Sequence, residues 1–158
     1  CIGNMTLGTA AKLAKLSERV SVALHKEFNA VISIFEHGGT KAGQSVEHAH
    51  LHLFPAHADI GPRIRSDLST CEINALNSIR AVPRAFKITR GPYLYWQTPG
   101  APPFICHINT ESVVPKQYLR TVTAELLGRP ERANWRTMDS QLDNRLCEET
   151  MRRMMKHF

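Results

Sequence analysis

Three histidines alternate with small or aliphatic residues within positions 43–55 (GQSVEHAHLHLFP), and this pattern constrains the fold more than any other segment. Side chains alternate between two faces along a β-strand, so the three imidazoles are expected to share one face. The residues between them are expected to point the other way, into a core. These sets are His48, His50 and His52 on one face, and Ala49, Leu51 and Leu53 on the other.

A loop that contains three glycines, residues 37–45, comes directly before the histidine strand. Glycines allow backbone conformations in which successive N–H groups converge on an anion. A flexible hairpin connection is the simpler interpretation of such a loop taken alone. Its position immediately before three histidines favours an anion-binding role.

Three chemical roles are open to the histidines. They could bind a metal ion such as zinc through three nitrogens, although three residues in a row on a strand would need a bend to share one ion. One imidazole could instead act as a nucleophile on phosphorus while its neighbours fix its tautomer and stabilise charge. A purely structural role suits a single histidine better than three alternating ones.

Composition narrows the class of protein. The formal charge of +6 favours acidic partners such as nucleotides, whereas the absence of a basic stripe interleaved with aromatic residues makes nucleic acid an unlikely partner. No apolar run approaches the roughly 20 residues that span a bilayer, so no membrane role is expected. The four cysteines are widely spaced with no Cys-x-x-Cys pair, which favours a reducing, cytoplasmic location.

Hydrophobic periodicity and turn residues predict an α+β fold, an antiparallel sheet with flanking helices, in one domain over residues 1–158. The core is expected over about 9–110 and a helical extension over about 111–158, which Trp135 would dock onto the body of the domain. Thr9 is the expected N-cap of the first helix. Ser69 and Glu72 have capping-box spacing, and residues 63–68 could be an earlier turn of that helix or a separate one. Helices are predicted over 9–28, 69–80, 115–127 and 137–158, and strands over 31–35, 46–55, 86–89, 93–97 and 104–108.

Residues 48–54 (HAHLHLF) resemble the His-φ-His-φ-His-φ-φ signature of the histidine triad (HIT) superfamily of nucleotide hydrolases and transferases. Gly43-Gln44-Ser45-Val46 before the signature and Pro55 after it are similar to the usual surroundings in that family. The order of helix, buried strand and glycine-containing loop is also similar. The close resemblance covers residues 13–55, and a weaker likeness runs through 93–95, 115–120 and 134–136.

The resemblance implies a role for each residue of the motif. His50 would be the nucleophile on the α-phosphorus, His52 would contact the phosphate, and His48 would orient the central ring. His37 stands where relatives usually carry Asn or Gln that reaches the phosphates. The resemblance does not require a metal ion or other cofactor, although a divalent metal remains compatible with it. The phosphate-contacting loop comprises Gly43, Gln44, Ser45 and Val46, with the Ser45 hydroxyl near the leaving group.

The implied activity is hydrolysis or transfer of a nucleoside monophosphate from a dinucleoside polyphosphate or nucleoside phosphoramidate, through a nucleotidyl-histidine. A nucleotide phosphorylase or adenylyltransferase, or a non-catalytic nucleotide-binding protein, are the alternatives. The resemblance also implies a homodimer, and it implies that strands shaping the nucleoside pocket precede Cys1 in the complete protein. Gln117 and Arg120 fall on one side of the same helix; Arg120 could reach a phosphate, but a surface or capping role is favoured.

Overall fold

Five antiparallel strands form a sheet in the computed structural model, which describes residues 1–109, 111–134 and 136–158. Across the sheet their order is β2-β1-β4-β5-β3, so β2 lies at one edge. The predicted α+β class with an antiparallel sheet is confirmed. The strands are β1 (Ser33–Gly38), β2 (Leu51–Phe54), β3 (Glu72–Ala75), β4 (Tyr93–Gln97) and β5 (Phe104–His107).

Helices cover both faces of this sheet. They are α1 (Leu7–Phe28), α2 (Gly61–Asp67), α3 (Val82–Thr89), α4 (Tyr118–Leu126) and α5 (Ser140–Met154). Buried side chains on one face pack against α2 and α4, and those on the other face pack against α1 and α3. The alternation is clearest in β4, where Leu94 and Trp96 enter the first cluster and Tyr93 and Tyr95 enter the second. None of the described helices combines the length and apolarity that crossing a bilayer requires.

Several predicted element boundaries and types are wrong. The first helix begins at Leu7, because Thr6 and not Thr9 is its N-cap: the Thr6 hydroxyl oxygen accepts a hydrogen bond from the Thr9 N–H at 3.1 Å. The helix predicted over 69–80 is replaced by β3, since β5 offers an edge on which Ile73 pairs opposite Cys106. Pairing and burial of one face outweigh the capping-box spacing.

The strand predicted over 86–89 lies in α3 instead. Pro83 occupies the first turn of that helix, where its missing N–H costs nothing, and both it and Val82 are buried. The two remaining strands of the predicted meander are confirmed as β4 and β5, which pair with each other. Residues 63–67 lie in the separate short helix α2 and are not an earlier turn of a helix over 69–80.

A buried carboxyl group joins the N-terminal segment to the sheet. Glu36 of β1 accepts hydrogen bonds from the Ile2 N–H and from the Tyr93 hydroxyl, both at 2.7 Å, and the Gly3 N–H donates to the same hydroxyl at 2.8 Å. Burial raises the pKa of Glu36 to about 7, against the opposing effect of these two donors. The first residues of the chain are therefore part of the core beneath β1 and β4.

A cluster of cations around Glu27 fastens the C-terminal segment to α1. The Glu27 carboxylate accepts from the Lys156 ammonium group at 2.8 Å and from His157 at 2.8 Å, and Arg153 also donates to Glu27. The Lys156 and His157 contacts lower the pKa of Glu27 to about 2. The final helix is shorter than predicted, Ser140–Met154, and Asp139 caps it. Trp135 lies outside the described residues.

Candidate active site

The loop between β1 and β2 is held in shape by the side chain of Gln44, which is buried. Its amide oxygen accepts from the Gly39 N–H at 2.7 Å, and its amide nitrogen donates to the carbonyls of Val46 and His48, both at 2.6 Å. Both ends of the amide are thus used within the loop. Gln44 shapes the loop and does not line the cavity described below, which differs from the phosphate contact expected of it.

The backbone N–H groups of this loop divide into two sets. Those of Gly39, Gly43 and Gln44 donate within the loop, so they are not free to bind an anion. The hydrogen bonds of the described residues include no acceptor for the N–H of Ser45 or Val46, and both residues line the cavity. The N–H groups available to an anion are therefore those of Ser45 and Val46, which follow the three glycines on which the prediction was based.

Gly43 is the point at which the loop meets the start of α4. Its φ is +87°, and a Cβ at this position would lie 2.4 Å from the Pro115 carbonyl oxygen. The Gly43 carbonyl in turn accepts from the Gln117 N–H at 2.8 Å. Only glycine permits this approach, which brings a helix of the predicted extension against the histidine loop.

The three histidines form a row although only the last of them lies in a strand. The chain bends at residues 46–48, and β2 begins at Leu51, so the predicted strand over 46–55 is too long. The rings of His48 and His50 are 4.8 Å apart between centroids, and those of His50 and His52 are 5.6 Å apart, both edge to face. His50 is exposed, whereas His52 is half-buried.

The β1–β2 register fixes which face the row occupies. His52 lies opposite Phe35, and the two rings stack with centroids 4.5 Å apart. Ala49 and Leu51 pack instead against the cluster on the opposite face, as the alternation predicts. Burial lowers the pKa of His52 to about 4, with smaller effects of the same sign from His50 and Arg120, so His52 is neutral near pH 7.

His37 forms the base of the site and is neutral. Its Nε2 accepts a hydrogen bond from the Leu119 N–H of α4 at 3.0 Å, which places the ring proton on Nδ1. Burial, and to a smaller extent His52, lowers the pKa of His37 to about 3. This histidine therefore offers an anion a neutral Nδ1–H donor rather than a positive charge.

These side chains surround a cavity of about 310 Å³. Six of the eight residues predicted for the site line it, and Gln44 and His48 do not. Gln117, just before α4, and Arg120, within it, complete its wall, although a surface or capping role is the favoured prediction for both. The lining residues are His37, Gly43, Ser45, Val46, His50, His52, Gln117 and Arg120.

Gln117 is conformationally unusual. It precedes α4 with φ +63° and ψ 23°, a left-handed conformation that costs a residue with a Cβ roughly 1 kcal/mol. Its side-chain oxygen is buried and has no hydrogen-bond partner among the described residues. A buried acceptor without a partner carries a further cost, and such costs concentrate at functional sites.

Arg120 is a half-buried cation one turn further along α4. Its Nε donates to the Arg132 carbonyl at 3.2 Å, and one of its terminal nitrogens lies 3.6 Å from the Met138 sulfur. Both partners are neutral. Asp143, the acid whose charge favours the protonated form of Arg120, is hydrogen-bonded to Arg132 at 2.7 Å.

A second, larger cavity of about 610 Å³ adjoins the first and shares His52 and Arg120 with it. Its floor is apolar, with Phe35 and Phe54 from the sheet and Leu127 and Leu146 from the helical extension. Further arginines lie at its edge. They are Arg129, paired with Glu131, and Arg132, paired with Asp143.

In the described part of the chain, no group of three or more His, Cys, Asp or Glu side chains is arranged to hold a metal ion. The row of three histidines is not such a group. The rings follow one another edge to face and do not converge on one point.

Comparison of the chain with protein-family models, with curated proteins and with solved structures found no match in any of the three. Membership of the histidine triad superfamily accordingly stays a prediction from the motif.

Proposed function

We propose that the chain is a nucleotide hydrolase or nucleotidyl transferase of the histidine triad type, in which His50 attacks the α-phosphorus of a nucleotide. The observation that carries this proposal is the exposed His50 ring, which lies between two other imidazoles and lines a cavity with hydrogen-bond donors. An imidazole is an effective nucleophile near neutral pH.

In the first step, a ring nitrogen of His50 forms a bond to phosphorus while the bond from phosphorus to the leaving group breaks. The leaving group keeps that electron pair, and the other ring nitrogen of His50 keeps its proton. In the second step, water attacks the phosphorus and releases a proton to the solvent. The N–P bond then breaks, and its electron pair returns to His50.

The surrounding groups suit the charge that builds on the phosphoryl oxygens. The N–H groups of Ser45 and Val46, which have no acceptor among the described residues, lie beside His50, and His37 adds its Nδ1–H. Donors that are already in place in a partly buried site stabilise developing charge without reorganisation. His52 is neutral near pH 7 because burial lowers its pKa, so it contacts the phosphate as a neutral donor or acceptor.

Trapping the intermediate tests this proposal. The chain is incubated with adenosine 5′-phosphoramidate or diadenosine triphosphate carrying labelled α-phosphorus, quenched, and mapped by mass spectrometry. We expect an acid-labile adduct on His50, and His50→Asn or His50→Ala should abolish both the adduct and turnover while leaving the melting temperature unchanged.

The matched control is His57→Asn, since His57 is exposed and lines neither cavity. It should retain adduct and turnover. Full activity in His50→Asn, or an equal loss in His57→Asn, would contradict the proposal. Turnover in ¹⁸O-water or with inorganic phosphate separates a hydrolase from a phosphorylase, and binding without any adduct indicates a nucleotide-binding protein instead.

The proposal also includes a homodimer in the cytoplasm, with nucleotides and not nucleic acid as partners and without a required metal ion. The four cysteines are free in the structure, which suits a reducing compartment. A monomeric mass by light scattering would remove the dimer from the proposal, and loss of turnover after chelation would add a metal to it.

A further inference from the structure

We propose that Arg120, with Gln117, binds a second anionic group next to the phosphorus that His50 attacks, so that the preferred substrate is a phosphoanhydride and not a phosphoramidate. This inference rests on the proposed function for the identity of the attacked atom. The binding site itself follows from the contacts and positions of Arg120 and Gln117, independently of the reaction.

The guanidinium group of Arg120 has unused hydrogen-bonding capacity. The guanidinium group has five N–H donors, and the described residues engage only two of them, with the Arg132 carbonyl and the Met138 sulfur. Neither partner is charged. A half-buried guanidinium whose burial disfavours its own charge gains most from an anion that enters the cavity.

Arg120 lies where the two cavities meet. Its side chain lines both the cavity that His50 lines and the larger cavity beside it. A phosphate chain attacked at one end by His50 and continuing toward the larger cavity must pass Arg120. The arginines at the edge of the larger cavity, Arg129 and Arg132, already have carboxylate partners.

Gln117 has two unfavourable features beside the cavity. This residue carries both a left-handed backbone and a buried amide oxygen without a partner, and it lines the cavity one turn before Arg120. The hydrogen bond from its backbone N–H to the Gly43 carbonyl accounts for its backbone conformation, but no donor among the described residues satisfies its amide oxygen. A bound phosphate oxygen would accept from the Gln117 amide nitrogen, and a hydroxyl group or water that enters with the phosphate would donate to the amide oxygen.

The consequence concerns the leaving group. In a phosphoanhydride the departing oxygen takes the electron pair and leaves as a phosphate anion, so negative charge grows beside Arg120 as the bond breaks. An amine leaving group departs neutral after gaining a proton from water, and no charge develops there. Arg120 therefore assists the first reaction and not the second.

Binding of pyrophosphate and of inorganic phosphate, measured by titration calorimetry with chelator and physiological salt, tests the site without any turnover. Charge-assisted hydrogen bonds predict that pyrophosphate binds about tenfold more tightly or better, and that Arg120→Met removes this preference. Arg120→Lys should retain part of it. Arg129→Met is the matched control, an arginine at the same cavity with its own carboxylate partner, and should retain all of it.

Equal binding of the two anions by the unchanged protein would overturn the inference, as would an equal loss in Arg129→Met. With turnover, Arg120→Met should lower kcat/KM for diadenosine triphosphate by about tenfold or more while changing that for adenosine 5′-phosphoramidate little. A similar loss for both substrates would mean that Arg120 is structural. If neither substrate is turned over but the pyrophosphate preference depends on Arg120, the proposed reaction fails and the anion site stands.

Discussion

Replacing Gln117 with glycine should stabilise the protein and weaken its binding of anions. Glycine removes the strain of φ +63°, about 1 kcal/mol, and removes a buried amide oxygen without a partner, which costs about 1–3 kcal/mol. The greater flexibility of glycine in the unfolded chain and the lost side-chain packing offset about 1–2 kcal/mol of this gain. The net stabilisation should be about 1 kcal/mol, which raises the melting temperature by roughly 2–4 °C in a domain of this size.

The assay is thermal and urea unfolding of Gln117→Gly beside Gln117→Ala and Lys116→Gly. Alanine removes the amide but keeps the strain, so it should be less stable than glycine at this position, the reverse of the usual order in helices. Lys116 is exposed and lacks a positive φ, so its replacement by glycine should destabilise the protein slightly. Destabilisation of Gln117→Gly to the same extent as Lys116→Gly would refute the reasoning, because Gln117 would then stabilise the fold.

Two further predictions concern the loop and the core. Gly43→Ala should cost at least about 2 kcal/mol in urea unfolding, because it adds backbone strain and a clash with the Pro115 carbonyl; Gly100→Ala, with φ +80° and open space, should cost only the strain, and equal losses would exclude the clash. Glu36, with its pKa raised from 4.5 to about 7, should contribute a fall of about 3 kcal/mol in the free energy of unfolding as pH rises from 4.5 to 7, since only the unfolded chain loses the Glu36 proton in that window; His37 and His52, with lowered pKa values, act in the opposite direction. Unfolding of the unchanged protein and Glu36→Gln at pH 4.5 and 8 isolates this effect, and the same pH dependence in both would contradict it.

The histidine row could be predicted from the sequence because its signal is local. Alternation along residues 48–54 correctly separated the imidazoles from Ala49 and Leu51, since a period of two needs no knowledge of distant contacts. The length of the strand could not be predicted in the same way. The Gln44 side chain draws the backbone of residues 46–48 into a bend, and glutamine carries no recognised signal for that.

The contribution of Gln117 and Arg120 to the cavity could not be predicted from local sequence patterns. Gln117 and Arg120 are more than 60 residues away from His50 in sequence, and only the close approach at Gly43 brings them to the cavity. A positive φ at a glutamine has no sequence signature. The prediction of a helix over 69–80 is wrong because residues 72–75 pair with the edge of the sheet at β5. A capping pattern in the sequence carries no information about which sheet edges are available for pairing.

The hydrogen bond from Leu119 to His37 spans 82 residues of sequence. Contacts of such separation close large loops and form late in folding, after the local helices and hairpins. A chain still emerging during synthesis therefore exposes the row of three histidines before α4 can cover it. The wall of the anion site is completed only when the chain beyond residue 120 has been made, so the acquisition of binding is tied to the completion of the fold.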